Sequence, residues 1–350
     1  MGMPSINISF NEKARSVVSR GSRGVVAIIA TDETITGSHM IYTESDIPGG
    51  ASEDVKTLVK LALKGYVNAP KRVVLVGSSE LDYSDALAIL EVTYFDYLVV
   101  QDVETDAKQS TIATWIKAQR ENKKLVKAIL PNHAGDSEAI INYATPAAIE
   151  NDVTYKAEVY AARIAGVIAG TPTNMSCTFA PLDELTDCTR LNKAERDAAI
   201  DAGKLILYHD GEKVKIARGV NSLTTTNGTK GNQYKKIKLV DAMDMIAGDI
   251  RTTAEDTYIG KFVNSFDNKC LLISAINQYL ATLIPDGVIS SGQVSIDIEA
   301  NKAYAESKGV DVTELTDDEI KKYNTGDSVY LVGKVSLLDT MEEIELPITI

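Results

Sequence analysis

Two kinds of hydrophobic pattern alternate along the first half of the chain. Four short apolar runs are typical of strands buried on both faces of a parallel sheet, and they cover residues 24–30, 72–77, 96–101 and 124–130. Between them, helical spacing of apolar residues occurs over residues 52–66, 84–94 and 106–121. This alternation predicts right-handed βαβ crossovers and a mainly parallel sheet with helices on both faces.

The second half of the chain predicts an α+β organisation. Alternating residues flank Asp210 and Gly211, a pair that tolerates the positive φ angles of a tight hairpin turn. Two helices are predicted next, one with an apolar stripe formed by Val240, Met243, Ile246, Ala247 and Ile250, and one over residues 269–284. Further strands are predicted at residues 293–298 and 328–338, with a capping box at Thr316 to Glu319 between them.

Both ends of the chain carry strictly alternating segments, at residues 4–10 and 343–350. Each segment predicts a strand with one apolar face. These faces are formed by Ile6, Ile8 and Phe10 and by Ile344, Leu346, Ile348 and Ile350. Because Pro347 cannot donate a backbone hydrogen bond, we expect the C-terminal strand at the edge of a sheet.

The two ends also carry opposite charge. Side chains give residues 1–20 a net charge of +2 and residues 339–350 a net charge of −4. Ends of different copies should therefore attract each other. Two arrangements remain open: each terminal strand pairs with a neighbouring copy, or residues 343–350 fold back on residues 328–338 as a hairpin within one chain.

Composition excludes several functional classes. The 350 residues include 36 basic and 49 acidic side chains, and the net charge of −13 opposes non-specific binding to nucleic acid or to an anionic membrane. No apolar run has the length of a signal peptide core or of a membrane span, so we expect a cytosolic protein. Three cysteines without C-x-x-C spacing and three separated histidines indicate neither a disulfide framework nor a metal site.

An enzymatic interpretation depends on Ser78, Asp102 and His133, each just beyond a predicted parallel strand, where α/β sheets place ligands. Ser78 lies in VGSSE and not in a G-x-S-x-G elbow, and no glycine-rich phosphate-binding motif occurs. Polar residues are common wherever strands end. We therefore expect no catalytic residue and no cofactor, and we retain an α/β hydrolase with an accessory C-terminal domain as the alternative.

A lysine cluster, formed by Lys235, Lys236 and Lys238, precedes the first helix of the second half. These side chains could contact an acidic partner protein. A solvated strand edge is the simpler interpretation and the one we favour. The acidic pairs near the C-terminus lack the spacing of a calcium loop, so they too are expected to face solvent.

A family resemblance is carried by the central stretch. The Asp-Gly hairpin continues into RGVNSLTT at residues 218–225 and KIKLVDAMDMIAGDIR at residues 236–251, followed by Tyr258-Ile259-Gly260-Lys261 and a helix ending in LATLIPDGVI. These segments resemble the C-terminal domain of contractile tail sheath proteins, which build phage tails and phage-derived bacteriocins. The resemblance is specific from about residue 200 onward and weaker before it.

This resemblance implies an N-terminal subtilisin-like α/β domain with a mainly parallel sheet and a C-terminal α+β sheath domain with exchanged terminal strands. It implies a structural subunit that polymerises as stacked hexameric rings, forms a helical sheath around an inner tail tube protein, and contacts baseplate and terminal cap proteins. Contraction would drive the tube through a target cell envelope. It implies no enzymatic activity, no metal, no nucleic acid partner and no membrane partner.

We accordingly divide the chain into four parts. They are an N-terminal arm (residues 1–21), the α/β domain (22–200), the sheath domain (201–338) and a C-terminal arm (339–350). Assembly is expected in the host bacterial cytoplasm. The product would be a phage tail or a released bacteriocin particle.

Overall fold

The computed structural model describes Val18, residues 23–80 and residues 82–349. The predicted N-terminal strand with Ile6, Ile8 and Phe10, and the terminal Ile350, lie outside this part of the chain. The strands are β1 (Val25–Ala30), β2 (Ser38–Ile41), β3 (Arg72–Gly77), β4 (Tyr97–Val100), β5 (Lys127–Pro131), β6 (Ile140–Tyr143), β7 (Ala148–Glu150), β8 (Val153–Tyr155), β9 (Asp187–Cys188), β10 (Lys204–Leu205), β11 (Leu207–His209), β12 (Val214–Ile216), β13 (Ile289–Ile296) and β14 (Leu331–Leu337). The helices are α1 (Glu53–Leu63), α2 (Ser84–Glu91), α3 (Gln109–Glu121), α4 (Ala157–Ala169), α5 (Lys193–Asp201), α6 (Ile237–Thr253), α7 (Phe266–Leu283), α8 (Ile298–Ser307) and α9 (Asp317–Lys322).

A mainly parallel sheet organises the larger part of the molecule. Its strand order is β10-β6-β5-β4-β1-β3-β2, and β2 alone among these strands runs antiparallel to its neighbour. Every residue of β1 is buried, with Val26 and Ile28 in one apolar cluster and Val25 and Ile29 in another. Helices α1 and α4 contribute to the first cluster and α2 and α3 to the second, which confirms the predicted parallel sheet with two covered faces.

The sheet also contains strands that the sequence did not predict. β2 is a short edge strand with two exposed residues, so it lacks a continuous apolar run. β6 has four residues and β10 only two. Segments this short carry too little periodicity to be recognised from sequence. A small separate sheet, with the order β8-β7-β9, was missed for the same reason.

The hairpin predicted at Asp210 and Gly211 is confirmed. β11 and β12 are antiparallel, with His209 opposite Val214. The carboxylate of Asp210 accepts backbone hydrogen bonds from Glu212 and Lys213 at 2.9 Å each, which closes the turn. Gly211 has a φ of +115°, a backbone conformation that side chains with a Cβ rarely adopt.

Replacing Gly211 with valine is therefore expected to lower the free energy of unfolding by about 1 kcal/mol or more, because a β-branched residue resists this φ. No other atom lies within 4 Å of the added Cβ, so the effect isolates backbone strain from steric clash. Urea unfolding measures it. Gly228→Val is the matched control, since Gly228 also has open space but no positive φ; equal midpoints for the two variants would contradict the strained turn.

A buried ionic cluster lies between the sheet and the first turns of α6. Lys127 on β5 is only 4% exposed, and its ammonium lies 3.0 Å from Asp241 and 2.5 Å from Asp244. Arg120 binds both carboxylate oxygens of Asp244 at 2.9 Å. Tyr97 donates to Asp241 at 2.5 Å. Burial alone would raise the pKa of Asp244, but the two cations outweigh it and the pKa is lowered.

The predicted helix over Val240 to Ile250 is confirmed, but its buried face differs from the predicted apolar stripe. Ala247 is exposed, whereas Asp244 and Asp249 are buried. Asp244 binds the cluster just described, and Asp249 accepts a hydrogen bond from Tyr279 at 2.7 Å. The buried face of α6 therefore includes carboxylates that are paired with other side chains. Hydrophobic periodicity does not detect such residues, because it counts only apolar ones.

The described chain forms two compact units that divide between Met245 and Ile246, and the boundary near residue 200 stays a prediction. Of the described residues, the larger unit comprises 23–80, 82–245 and 338–349, and the smaller unit comprises Val18 and residues 246–337. In the smaller unit, β13 and β14 pair as an antiparallel hairpin. The predicted strand at residues 293–298 begins earlier, at Ile289, and Ile298 starts α8. The capping box at Thr316 and Glu319 is confirmed.

The last segment of the described chain does not form the intrachain hairpin that was one of the two open alternatives. Residues 338–349 contain no strand, and β14 pairs with β13 only. The hairpin of residues 343–350 on residues 328–338 is therefore absent from the described residues. Among the described helices, none combines the length and apolar character that a membrane crossing requires.

Candidate functional site

The described part of the C-terminal arm, residues 339–349, has no regular secondary structure and carries exposed apolar side chains. Ile344, Leu346 and Ile348 are 82%, 75% and 76% exposed. Alternation places these side chains on one face of an extended backbone. Large apolar side chains in such a contiguous row usually mark an interaction surface. Ile350 and the three N-terminal site residues, Ile6, Ile8 and Phe10, lie outside the described chain.

The base of the arm is held by Glu342. One of its carboxylate oxygens accepts a hydrogen bond from the Thr178 hydroxyl at 2.8 Å, and the other accepts from Arg218 Nε and Lys236 Nζ, each at 3.0 Å. Only 9% of the Glu342 side chain is exposed. The Thr178 hydroxyl also accepts from the backbone N–H of Gly219 at 3.0 Å, which fixes its orientation.

Further contacts flank Glu342 on both sides. Lys236 also lies 2.5 Å from Asp339, and Lys238 donates to the backbone carbonyl of Leu338. Arg218 reaches Glu343 at 3.3 Å. We call Thr178, Arg218, Lys236 and Lys238 the arm clamp. It holds the chain from Leu338 to Glu343 and leaves the apolar row beyond it exposed.

Two segments of the central stretch bring the clamp cations together. Arg218 follows β12, and Lys236 immediately precedes α6. A backbone bridge pairs Val220 with Lys236, which places the two cations on neighbouring segments. The favoured interpretation of the lysine cluster as a solvated edge is thus wrong for Lys236 and Lys238, because Lys236 binds Glu342 and Lys238 binds the backbone carbonyl of Leu338 in their own chain. The expectation that the acidic pairs near the C-terminus face solvent is likewise wrong for Glu342, and the sequence analysis had matched their charge to residues 1–20 instead.

Electrostatics make the clamp sensitive to acid. Burial alone would raise the pKa of Glu342. Hydrogen bonds from Thr178, Lys236 and Arg218 lower the pKa by more than burial raises it, so the pKa lies below its ordinary value. A carboxyl group with a lowered folded-state pKa stabilises the fold above its unfolded pKa of about 4.3. That contribution is lost as the pH falls through the lower folded value.

We expect Glu342→Gln to release the base of the arm, because a neutral amide forfeits charge-assisted hydrogen bonds worth about 1.5 kcal/mol or more. A spin label at Leu346→Cys, in a background with Cys270→Ser, should become more mobile in this variant. Glu343→Gln is the matched control. The Glu343 side chain is 83% exposed, so its ion pair with Arg218 contributes little and its substitution should leave the mobility of the spin label unchanged. Equal mobility in the two variants would contradict the clamp.

Ser78, Asp102 and His133 lie just beyond β3, β4 and β5, as predicted, but they do not form a catalytic site. Between β3 and β5 lie β1 and β4, so Ser78 and His133 are three strand spacings apart, or about 14 Å. The Ser78 hydroxyl donates to Asp85 at 2.5 Å, and Asp102 accepts from Thr31 at 3.1 Å. Nucleophilic catalysis needs a base within hydrogen-bond reach of the hydroxyl, and His133 does not provide it.

Asp102 and His133 are partly buried groups with pKa values shifted chiefly by that burial. The pKa of Asp102 is raised by burial, with Glu158 and Asp106 adding to the effect. The pKa of His133 is lowered by burial and by nearby Lys117. Both directions disfavour charge at these positions. In the part of the chain that the structure describes, no cluster of three histidine, cysteine or carboxylate side chains has metal-binding geometry.

Comparison with known proteins gives a consistent family assignment. The model of the phage tail sheath protein central domain matches residues 77–222, and the model of the phage tail sheath C-terminal domain matches residues 229–350. The tail sheath protein of Clostridium phage phiCD119 is 38% identical over 99% of this chain and 98% of its own length. The similarity thus extends further toward the N-terminus than the sequence motifs alone indicated.

Solved structures show the same fold. The sheath tail protein from Desulfitobacterium hafniense matches with a TM-score of 0.69 and 18% identity, over 84% of this chain and 94% of that one. The helical sheath of the anti-feeding prophage in its contracted state matches with a TM-score of 0.72 and 14% identity, over 100% of this chain and 99% of that one. These relatives are structural sheath proteins and not enzymes, so the hydrolase alternative is not favoured. With two family models covering more than half of its length and a full-length relative, this chain belongs to the phage tail sheath protein family.

Proposed function

We propose that this tail sheath protein polymerises through its arms into stacked hexameric rings and contracts to drive an inner tube through a target cell envelope. The observation that carries the proposal is the arm itself: Ile344, Leu346 and Ile348 form an exposed apolar row directly after a clamped base. In a monomer these three side chains contribute no hydrophobic stabilisation, because they stay exposed to water. Burial against another copy removes the exposed apolar area, and backbone hydrogen bonds satisfy the extended chain.

Exchange of arms is supported by the chemistry of the segment. The alternating residues 343–349 have the pattern of a strand, yet they pair with no strand of their own chain within the described residues. The clamp fixes where the arm leaves its subunit, which reduces the conformational entropy lost on docking. Residues 4–10 carry the same alternating pattern and are proposed as the second exchanged strand, with Ile6, Ile8 and Phe10 as its apolar face.

Contraction in this proposal releases energy stored in the lattice and needs no cofactor. The seven-stranded, mainly parallel sheet supports an α/β domain of the subtilisin-like type, which serves as architecture. The proposed partners are other copies in hexameric rings and a helical sheath, an inner tail tube protein, and baseplate and terminal cap proteins. Neither nucleic acid nor membrane is a proposed partner. Assembly would take place in the host bacterial cytoplasm, before the subunit becomes part of a phage tail or a released bacteriocin particle.

Electron microscopy of the purified full chain tests the proposal. Striated hollow rods with six-fold symmetry in cross-section are the expected result. A protein that stays monomeric at high concentration and hydrolyses ester or peptide substrates would instead support the hydrolase alternative.

Substitution of the three strand-end residues gives a second test. Ser78→Ala, Asp102→Asn and His133→Ala are each expected to leave rod assembly and contraction intact, because these side chains bind groups of the α/β domain or lie beside them, away from the described C-terminal arm and its clamp. Rod counts before and after a contraction stimulus measure the outcome. Hydrolytic turnover in the unmodified chain that disappears on any of these substitutions would overturn the non-enzymatic assignment.

A further inference from the structure

A small cavity lies where β4, β5 and α6 begin, inside the larger unit. Its volume is about 60 Å³, which is room for a few waters or one small ion. Asp96 precedes β4, Lys127 is the first residue of β5, and Lys238 and Asp241 belong to the first turns of α6. All four residues line the cavity, so ionisable groups form much of its wall.

Lys238 is a buried cation with too few acceptors. It is 6% exposed, and its ammonium carries three N–H donors. Within the described chain, the acceptor that it binds is the backbone carbonyl of Leu338. Burial lowers the pKa of Lys238 by more than the carboxylates of Asp339 and Glu342 raise it. The charge of Lys238 is therefore buried without full compensation.

The carboxylates of the cavity, in contrast, already have donors. Asp96 accepts from the backbone N–H of Val25 and from the Tyr94 hydroxyl, each at 2.9 Å. Asp241 accepts from the Tyr97 hydroxyl at 2.5 Å, and Lys127 lies 3.0 Å from its other oxygen. These acceptors are used by neighbouring groups, so they do not supply the hydrogen bonds that Lys238 lacks.

The charges that line the cavity do not balance. Among the described residues, three cations line it, Arg23, Lys127 and Lys238, against two carboxylates, Asp96 and Asp241. Burial raises the pKa of Asp96, which favours its neutral form and enlarges the deficit of negative charge. Cys177 also lines the cavity, but burial raises the pKa of its thiol to about 12, so no thiolate replaces the missing charge.

Charges behind the wall do not remove this deficit. Asp244 binds Lys127, but it also binds Arg120, which adds one positive charge for its negative one. Asp339 and Glu342 are likewise paired with cations of the arm clamp. The wall is therefore short of about one negative charge.

Two helix ends that line the cavity offset each other. Ile237 is the first residue of α6, and Ala169 is the last residue of α4. A helix N-terminus acts as about half a positive charge and a C-terminus as about half a negative charge. The formal charges therefore decide which ligand fits. A cation would lie against two lysines, and water would supply an acceptor without supplying charge.

We propose that this cavity binds a small monovalent inorganic anion, such as chloride, against the ammonium of Lys238. The anion accepts the hydrogen bonds that Lys238 lacks and balances the excess positive charge of the wall. Because it favours the charged form of Lys238, it also strengthens the hydrogen bond from Lys238 to Leu338 at the base of the C-terminal arm. The site is independent of the proposed exchange of arms.

The line width of the chloride NMR signal tests the site in the unmodified full chain. Bound chloride tumbles with the protein, so its signal should broaden with protein concentration and narrow again when bromide is added as a competitor. Sodium gluconate keeps the ionic strength constant during the titration, so screening does not change. Lys238→Met keeps the length of the side chain and should remove most of the bromide-sensitive broadening. Lys193→Met is the matched control, since Lys193 is 84% exposed, and it should keep the broadening.

Two results would overturn the proposal. If the unmodified chain shows no bromide-sensitive broadening, the cavity holds water only, and this result does not depend on whether the Lys238 variant folds. If the Lys238 and Lys193 variants broaden the signal equally, chloride binds elsewhere on the surface.

Mobility of the arm gives a second readout. A spin label at Leu346→Cys, with Cys270→Ser, should be less mobile in chloride than in gluconate of the same ionic strength. Equal mobility in the two salts would contradict the link between the anion and the arm.

Discussion

Deletion of residues 343–350 is expected to abolish rod formation while leaving a folded monomer. The deleted side chains Ile344, Leu346 and Ile348 are largely exposed, so the monomer loses almost no buried apolar area. Its free energy of unfolding should change by less than about 1 kcal/mol. Truncation after Glu342 keeps the contacts of Glu342 with Thr178, Arg218 and Lys236 intact. Assembly, in contrast, loses every backbone hydrogen bond and apolar contact that the arm makes with another copy.

Electron microscopy and urea unfolding together measure both halves of this prediction. A control variant with Thr349→Ser keeps the arm and should form rods as the unmodified chain does. Rods that still assemble from the truncated chain would contradict the exchange of arms. A strong loss of monomer stability would show that the arm belongs to a sheet of its own subunit. Deletion of residues 1–10 carries the same expectation, from the alternating pattern of Ile6, Ile8 and Phe10.

Asp244→Asn is expected to produce the largest loss of stability in the larger unit, about 3–5 kcal/mol. The substitution removes the carboxylate that binds Arg120 at both oxygens and Lys127 at 2.5 Å. Lys127 is 4% exposed, so its charge would remain buried with Asp241 as its main counter-ion. A buried cation that loses one of its two carboxylate partners lowers the free energy of unfolding far more than a broken ion pair at the surface does. Chemical denaturation of the truncated monomer measures the change without interference from assembly.

Asp197→Asn is the matched control for this cluster. Asp197 pairs with Lys193 on the surface of α5, where both side chains are more than half exposed, and the change should cost less than about 1 kcal/mol. The pH dependence has a defined sign, because the pKa of Asp244 is lowered in the folded state. Its contribution is present above the unfolded pKa of about 3.9 and is lost as the pH falls through the folded value. A similar cost for the two variants would contradict the importance of the buried cluster.

Parts of the fold with strong local signals could be predicted from the sequence. Continuous apolar runs identified β1, β3, β4 and β5, because a strand that is buried on both faces is apolar at nearly every position. The Asp210-Gly211 turn and the Thr316 capping box depend on residues within four positions of each other. Such signals need no knowledge of tertiary contacts.

The elements and contacts that were missed depend on distant residues. β2 and β10 are short and owe their strand geometry to the neighbours β3 and β6. The buried face of α6 was misjudged because Asp244 is paired with Arg120, which is 124 residues away in the chain. Glu342 and Arg218 are likewise separated by 124 residues. The sequence analysis matched the charge of the acidic arm to residues 1–20, and only the fold shows that Arg218 and Lys236 of the same chain bind it.

Cryo-electron microscopy of rods assembled from this chain would show whether the C-terminal arm crosses to another subunit. Exchange of arms predicts continuous density that leads from the clamp at Glu342 to a strand formed by residues 344–348 on a different subunit. Density for this segment that remains on its own subunit, or rods in which the segment contacts no other copy, would contradict it.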